Sequence, residues 1–297
     1  MQPRRILFIA PTRIGDAVLA ASMLRYLTDN APDAEVTIIT SPLAADLYEG
    51  LPQLKRIVRI TKRTYNRHWL DVWHQTIGTR WDEIWDMRGS IVTFLLRAKK
   101  RRLYTKQAPA PKVKQYEQAF GIAHLPYPTL WPRPQDTAAA ETLMPSGERY
   151  LILAPIANWG PKEWPLANFI ALAQAMLEGR AKDFRPVVIC AGHEREKALP
   201  LLDALATYRP IDLTTGDAPL LTVFACMQRA HGFVGNDSGL MHMAAAASIP
   251  TLGLFGPTPH DIYQPWGAKA GYITAPNGDL AQLSVAAVTA ALEQRLF

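Results

Sequence analysis

The sequence is 297 residues long, 48% hydrophobic and 20% charged, which suits two globular units of about 150 residues and excludes a disordered chain. No apolar run reaches the roughly 20 residues that span a bilayer, and the apolar stretch 6–10 stops at Pro11, Arg13 and Asp16, short of a signal-peptide core, so a soluble cytoplasmic protein is expected. The net charge of +6 is uneven: residues 1–135 carry 21 Lys+Arg against 11 Asp+Glu, a net +10, and the remainder carries 11 against 15, a net −4. Such a basic half favours an anionic partner, whether phosphorylated lipid, membrane surface or nucleic acid. The two cysteines, Cys190 and Cys226, fall in a strand-like and a helix-like run, which fits buried thiols in a reducing compartment, with neither a disulfide nor a zinc site expected.

Along the chain, short β-branched runs alternate with longer helix-period segments, the pattern of parallel sheets flanked by helices. In the first half, strands are predicted over 5–10, 35–40, 56–60, 83–87 and 101–104, and helices over 17–29, 42–49, 69–77 and 91–98. Residues 125–145 are proline-rich, with Pro126, Pro128, Pro132, Pro134 and Pro145, and are periodic only around 138–143; they mark the boundary between an N-terminal domain 1–135 and a C-terminal domain 136–297. The same grammar then restarts, with strands over 150–154, 186–191, 211–213, 232–235 and 251–255 and helices over 166–177, 194–206, 220–229, 240–247 and 285–296. The expected fold is α/β, two Rossmann-like doubly wound domains facing across a cleft, with ligands at the carboxyl ends of the strands and the last helix free to pack back on the N-terminal domain.

The loops after strands carry the chemistry. Gly235-Asn236-Asp237-Ser238-Gly239-Leu240-Met241-His242 follows a strand and opens an Ala-rich helix. Its glycines permit a tight turn, and the first free N–H groups of the helix suit a phosphate. Asp237 or Ser238 is equally readable as a simple N-cap, and His242 as a core histidine. A carboxylate beside phosphate is unfavourable unless it turns to sugar hydroxyls, a role open to Asp237. Gly256-Pro257-Thr258-Pro259 ends the next strand, and Lys162 stands between Trp159-Gly160-Pro161 and Trp164-Pro165, a cation on a proline-stiffened loop. A solvated surface lysine is the alternative for Lys162.

In the first half, Pro11-Thr12-Arg13-Ile14-Gly15-Asp16 follows the first strand with one glycine, far from a Gly-x-Gly-x-x-Gly dinucleotide fingerprint. Asp16 reads either as an N-cap or as a general base. Arg88, before Gly89 and Ser90, is a ligand contact or a solvated charge. The run Lys99-Lys100-Arg101-Arg102 is most simply a charged edge that discourages strand pairing. No Asp-x-Asp pair points to a metal.

Together these loops resemble glycosyltransferase family 9, the bacterial lipopolysaccharide heptosyltransferases, across nearly the whole chain. The resemblance rests on Arg13-Ile14-Gly15-Asp16-Ala17-Val18, on Trp81-Asp82 through Asp86-Met87-Arg88-Gly89-Ser90, on Gly160-Pro161-Lys162-Glu163-Trp164-Pro165, and on Val234-Gly235-Asn236-Asp237-Ser238-Gly239 with His242, Ala244 and Ala245 before Leu254-Phe255-Gly256-Pro257-Thr258. It implies a GT-B fold and inverting, metal-independent transfer of a sugar, typically from ADP-heptose, to a lipopolysaccharide core. The nucleotide sugar is then a co-substrate, and no cofactor is implied. Asp16 would be the base, and the donor would be held by Gly15, Lys162, Glu194, Asn236, Asp237, Ser238, Gly239, His242, Pro257 and Thr258. Arg13, Arg88, Lys99 and Arg101 would face the acceptor, an anionic glycolipid or core oligosaccharide. Peripheral contact with the inner membrane face would account for the basic half, and nucleic acid is not expected as a partner. The competing readings are a nucleotide-sugar epimerase of the same fold and a basic nucleic-acid-binding protein.

Overall fold

A computed structural model describes residues 3–61, 64 and 67–297. The chain divides into two compact units, Met1–Trp131 and Pro132–Phe297.

The first unit contains β1 (Arg5–Ile9), α1 (Ile14–Asn30), β2 (Glu35–Thr40), α2 (Pro42–Ala45), β3 (Leu54–Arg59), α3 (His68–Thr76), β4 (Trp81–Asp86), a 3₁₀ turn Ile91–Leu95, β5 (Ala98–Leu103) and α4 (Lys112–Phe120). Its five strands are all parallel in the order β3-β2-β1-β4-β5. Four of the five residues of β1 and five of the six of β2 are buried, as a parallel sheet covered on both faces requires. The strand order reverses between β1 and β4, where Ile9 lies opposite Asp86, so the loops that follow these strands leave side by side.

Two predicted features differ here. In place of a helix over 91–98 there is a single 3₁₀ turn, and β5 already begins at Ala98. The cause is Asp86: its buried carboxylate accepts hydrogen bonds from Ser90 N (2.5 Å) and Thr93 Oγ1 (2.7 Å), winding the chain around itself instead of along a helix. Conversely, α4 lies where no element was predicted, with Val113, Tyr116, Glu117 and Phe120 forming a buried stripe at helical spacing. Gly121 ends α4 in the left-handed region at φ +64°.

The second unit contains α5 (Pro134–Leu143), β6 (Arg149–Ala154), α6 (Leu166–Glu178), β7 (Phe184–Ile189), α7 (Arg195–Ala204), β8 (Ile211–Leu213), α8 (Leu220–Arg229), β9 (Gly232–Asn236), α9 (Gly239–Ala246), β10 (Thr251–Phe255), α10 (His260–Tyr263), β11 (Ala270–Thr274) and α11 (Val285–Leu296). Its six parallel strands run β11-β10-β9-β6-β7-β8, so the reversal falls between β6 and β9, with Ala154 opposite Gly235. A Cβ on Gly235 would stand 2.7 Å from Ala154 Cβ and 2.9 Å from its carbonyl oxygen, which no side chain tolerates. The closing helix α11 packs on α6 and on β9 and β10, completing the core around Trp164, Phe169, Val288 and Leu292. Among the described residues no helix is long and apolar enough to cross a membrane.

Candidate active site

Ligands of doubly wound sheets bind outside the carboxyl ends of the strands, at the point where strand order reverses. In the second unit that point lies between the loop after β6 and the turn after β9. Asn236 joins the two: its side chain is fully buried, its Nδ2 donates to Pro155 O (2.6 Å), and its Oδ1 accepts from Trp164 N (3.0 Å). Trp164 is in turn fixed by donation from Nε1 to Leu283 O (2.9 Å) and by edge contact with Phe169. The nitrogen and the oxygen of the Asn236 amide therefore both hold the loop. Asn236, expected among the donor-binding residues, is thus placed as a clasp between the two loops.

The clasp sets Lys162 in place. Pro161 and the 3₁₀ turn Gly160–Lys162 shape the loop, and Lys162 Nζ lies 2.6 Å from Asp237 Oδ2, with the lysine side chain 20% exposed and the aspartate 5%. Lys162 is thus neither a solvated charge nor distant from the β9 turn. The Asp237 N–H donates to Leu254 O (3.1 Å), which ties the turn to the end of β10. Ser238 occupies the N-cap of α9 in extended conformation, yet its hydroxyl does not cap the helix; Ser238 Oγ and Thr258 Oγ1 are both buried without a hydrogen-bond partner among the described residues. The N–H groups of Gly239, Leu240 and Met241 precede any i−4 carbonyl of the helix. One ammonium, a helix N-terminus and two unmatched hydroxyls at one strand edge make a fitting environment for an anion with several oxygens.

The other predicted residues take different places around this edge. Glu194 closes the 3₁₀ turn Gly192–Glu194 after β7, where its Oε2 accepts weakly from Ala191 N (3.4 Å). Pro257 and Thr258 lie in the loop after β10, with Pro257 exposed. His242 is buried in the first turns of α9, with only 4% exposed. Cys190 and Cys226 are free and buried, and burial pushes both thiols up to about 11, which keeps them protonated and unreactive.

In the first unit the corresponding edge is the loop after β1. Thr40 Oγ1 and Ser41 Oγ donate to the carbonyls of Pro11 and Thr12, each at 2.8 Å, so the end of β2 pins this loop. The N-cap of α1 is Arg13, which is exposed and makes no side-chain cap bond, and Gly15 and Asp16 follow in the first turn. The N-cap reading of Asp16 is thereby corrected. Asp16 is partly buried and makes no hydrogen bond or ion pair with any described residue. Beside it, buried Tyr48 donates to Ala17 O (2.9 Å); burial first, and then the charge of Asp16, push its phenol well above the ordinary range, so it stays neutral.

Arg88 follows β4 on the same edge, its guanidinium 5.2 Å from the Trp69 ring centroid, and Gly89 turns the chain at φ +66°. The organiser of that loop, Asp86, also accepts from Arg88 N (2.8 Å). No ligand role had been read for it, and its sequence signal is the spacing of Asp86 to Ser90 and Thr93 that suits a side-chain-capped turn.

Lys99 and Arg101, expected to face an acceptor, both make contacts within the first unit. Lys99 is the second residue of β5 and pairs with Asp82, second in β4, at 2.6 Å, near the amino end of the sheet. The Arg101 guanidinium donates to the carbonyls of Thr93 and Leu96. Lys99 thus stands at the amino end of its strand while Arg101 lies opposite Ile84 in the middle, and the basic run is on edge strand β5, where charge discourages pairing with another sheet. Among the described residues no group of three or more His, Cys, Asp and Glu side chains is arranged to hold a metal ion.

The glycosyltransferase family 9 (heptosyltransferase) model matches residues 77–289, more than two thirds of the chain. Lipopolysaccharide heptosyltransferase 2 of Salmonella typhimurium is 26% identical over 325 residues, covering 94% of this chain and 92% of its own. The solved structure of E. coli ADP-heptose lps heptosyltransferase II superposes with a TM-score of 0.81 at 21% identity, covering 98% of both chains, and that of E. coli heptosyltransferase WaaC with ADP at 0.78 and 18%, covering 98% of this chain and 99% of that one. The two parallel sheets with their flanking helices are of the GT-B type that these neighbours share. With the family match spanning the whole second unit edge and the β4 loop, the chain belongs to glycosyltransferase family 9, the heptosyltransferase family, and is a glycosyltransferase.

Proposed function

We propose that the protein transfers heptose from ADP-heptose to a lipopolysaccharide-core acceptor, inverting the anomeric centre without a divalent metal. The observation that carries this reading is Lys162 held against Asp237 at the turn that opens α9, with the unmatched hydroxyls of Ser238 in that turn and of Thr258 in the loop after β10. The reading is also supported by the relatives, one named for ADP-heptose and lipopolysaccharide and another described with ADP.

In this reading a glycosidic C–O bond forms between an acceptor hydroxyl and the anomeric carbon while the bond from that carbon to the diphosphate breaks. The hydroxyl proton passes to Asp16, whose carboxylate has no competing partner among the described residues. The negative charge that builds on the departing ADP is met by Lys162, by the N–H groups at Gly239 and beyond, and by the Ser238 and Thr258 hydroxyls, which together do the neutralising work often given to a metal. Asp237 orients Lys162 and has a second oxygen for sugar hydroxyls. Glu194 serves the ribose from the β7 edge. Pro257 shapes the Thr258 loop, Gly15 lets the acceptor approach the first turn of α1, and His242 supports α9 from within. Acceptor recognition falls to residues 1–135, with Arg13 and Arg88 as its cations, and donor recognition to residues 136–297. The protein would act in the cytoplasm, where a lipid-linked acceptor brings it to the inner membrane face.

Product masses test the reading. With ADP-heptose and a core acceptor, the acceptor is expected to gain one heptose, and with ADP-heptose alone the donor is expected to persist. Isomerised donor in the absence of acceptor would identify an epimerase, and equal use of a uridine-linked sugar would overturn the ADP-heptose assignment.

A further inference from the structure

The 3₁₀ turn Ile91–Leu95 exposes what a folded core would bury. Ile91 is 79% exposed, Phe94 65% and Leu95 59%, while Val92, Thr93 and Leu96 point inward. In a 3₁₀ turn residues three apart eclipse, so Ile91 and Phe94 share one outward face. Adjoining it is a shallow basin of about 540 Å³ whose wall combines Phe94 and Leu95 with Arg80 and Arg97. The guanidinium groups of Arg80 and Arg97 make no hydrogen bond or ion pair with any described residue. This surface is therefore an apolar tip with free cations beside it, in the half of the chain whose net charge is +10.

We infer that the Ile91–Leu95 turn is a membrane-docking element: Ile91, Phe94 and Leu95 enter the interfacial layer of an anionic bilayer, and Arg80 and Arg97 hold lipid phosphates in the adjoining basin. The inference rests on the glycolipid-acceptor reading above and names the surface that serves it. Charge complementarity selects the occupant, since a protein partner would need acidic groups to meet the two arginines, whereas an anionic bilayer supplies both the phosphates and the apolar layer in one surface. Neither signal suffices alone, because one small apolar group or a few cations give only weak, reversible attachment and stable docking takes both. The position is also useful. The turn begins directly after the Arg88-Gly89-Ser90 loop and is bound to it through Asp86, which accepts from both Ser90 and Thr93, and it runs from there to the basin at the amino ends of β4 and β5, so one continuous segment links the lipid-facing surface to the loop after β4.

Co-sedimentation with phosphatidylglycerol–phosphatidylcholine vesicles, compared with pure phosphatidylcholine, tests the inference. Wild-type protein is expected to bind the anionic vesicles, more weakly as salt rises. Replacing both Phe94 and Leu95 by Glu should lower binding at least about tenfold. Arg80→Ala and Arg97→Ala should each cost about fivefold at low salt. All these side chains are exposed, so the variants should keep the wild-type circular dichroism spectrum and transfer to a soluble, delipidated acceptor at wild-type rate. No binding of wild-type protein to anionic vesicles, or binding that neither set of variants changes, overturns the docking surface, as does a salt-sensitive nucleic-acid shift that depends on Arg80 and Arg97 with no vesicle binding. Transfer to the soluble acceptor is read separately, and its absence in wild-type protein sinks the transferase reading instead.

Discussion

In the first unit the carboxylate Asp16 has no ionic or hydrogen-bonded partner among the described residues, whereas in the second Asp237 is held 2.6 Å from Lys162. The two edges are otherwise alike. Each lies where a parallel sheet reverses its order, between the first and fourth strands of its unit, and each opens a helix with a glycine in its first turn. The loops are pinned differently: Thr40 and Ser41 hold the carbonyls of Pro11 and Thr12 from a neighbouring strand, while Asn236 holds the 155–165 loop from across the reversal. Equal topology therefore delivers opposite electrostatics. A carboxylate that must accept a proton has to be free of cations, since an adjacent ammonium stabilises its charged form and weakens it as a base. A lysine that must meet a diphosphate gains from being held in one orientation beforehand, because less side-chain freedom is lost on binding.

The contrast can be broken by substitutions at each edge. The largest expected effect is at Asp16. Asp16→Ala should lower the transfer rate by about 10²–10⁴, the usual weight of a general base, with ADP affinity by calorimetry unchanged; near-normal turnover would remove Asp16 from that role. Next is Asn236→Ala, which leaves the Trp164 N–H and the Pro155 carbonyl buried without partners and should destabilise the second unit by about 2–4 kcal/mol in a urea titration.

Lys162→Ala should weaken ADP binding about 10–100-fold, the worth of a charge-assisted contact to phosphate. It also strands Asp237 as a buried carboxylate, so adding Asp237→Asn should recover stability without recovering affinity. If the double variant binds ADP as wild type does, Lys162 belongs to the fold alone. The smallest effect is at Lys99. Lys99→Ala removes an ion pair whose lysine is 60% exposed, and should change stability by less than about 1 kcal/mol and leave the KM for acceptor unaltered. A marked rise in that KM would return the basic strand to the acceptor surface.

Much of this arrangement was readable from local pattern. Strands 35–40, 211–213 and 251–255 and helices 220–229 and 285–296 have the predicted bounds, because β-branched runs and 3.6-residue spacing report on short stretches of backbone. The gathering of Lys162, Asp237, Ser238 and Thr258 at one edge follows from the rule that parallel strands present their carboxyl ends together. What was misjudged depended on partners distant in sequence or on polar groups acting on their own loop. That Asn236 also clasps Pro155 and Trp164, 81 and 72 positions away, is visible only in the structure. The run 91–98 has helical composition, yet the Asp86 carboxylate bends it into a turn. The contacts of the Arg101 guanidinium with the carbonyls of Thr93 and Leu96, which precede β5, likewise have no signal in the sequence.

Sequence alone was sufficient for the alternation of strands and helices, for the placing of Gly15, Lys162 and Gly239 in or just after strand-end loops and for the charge imbalance between the halves, because each is a property of residues close together along the chain. The strand order of the two sheets assigned partners. It decided that Asp237 is paired with Lys162, that the Asn236 amide clasps two loops, and that Lys99 lies at the amino end of its strand. Those distinctions arise from hydrogen bonds and ion pairs between segments that meet only when the sheets reverse their order, and the distance over which such bonds act is a few ångströms in space whatever the separation in sequence.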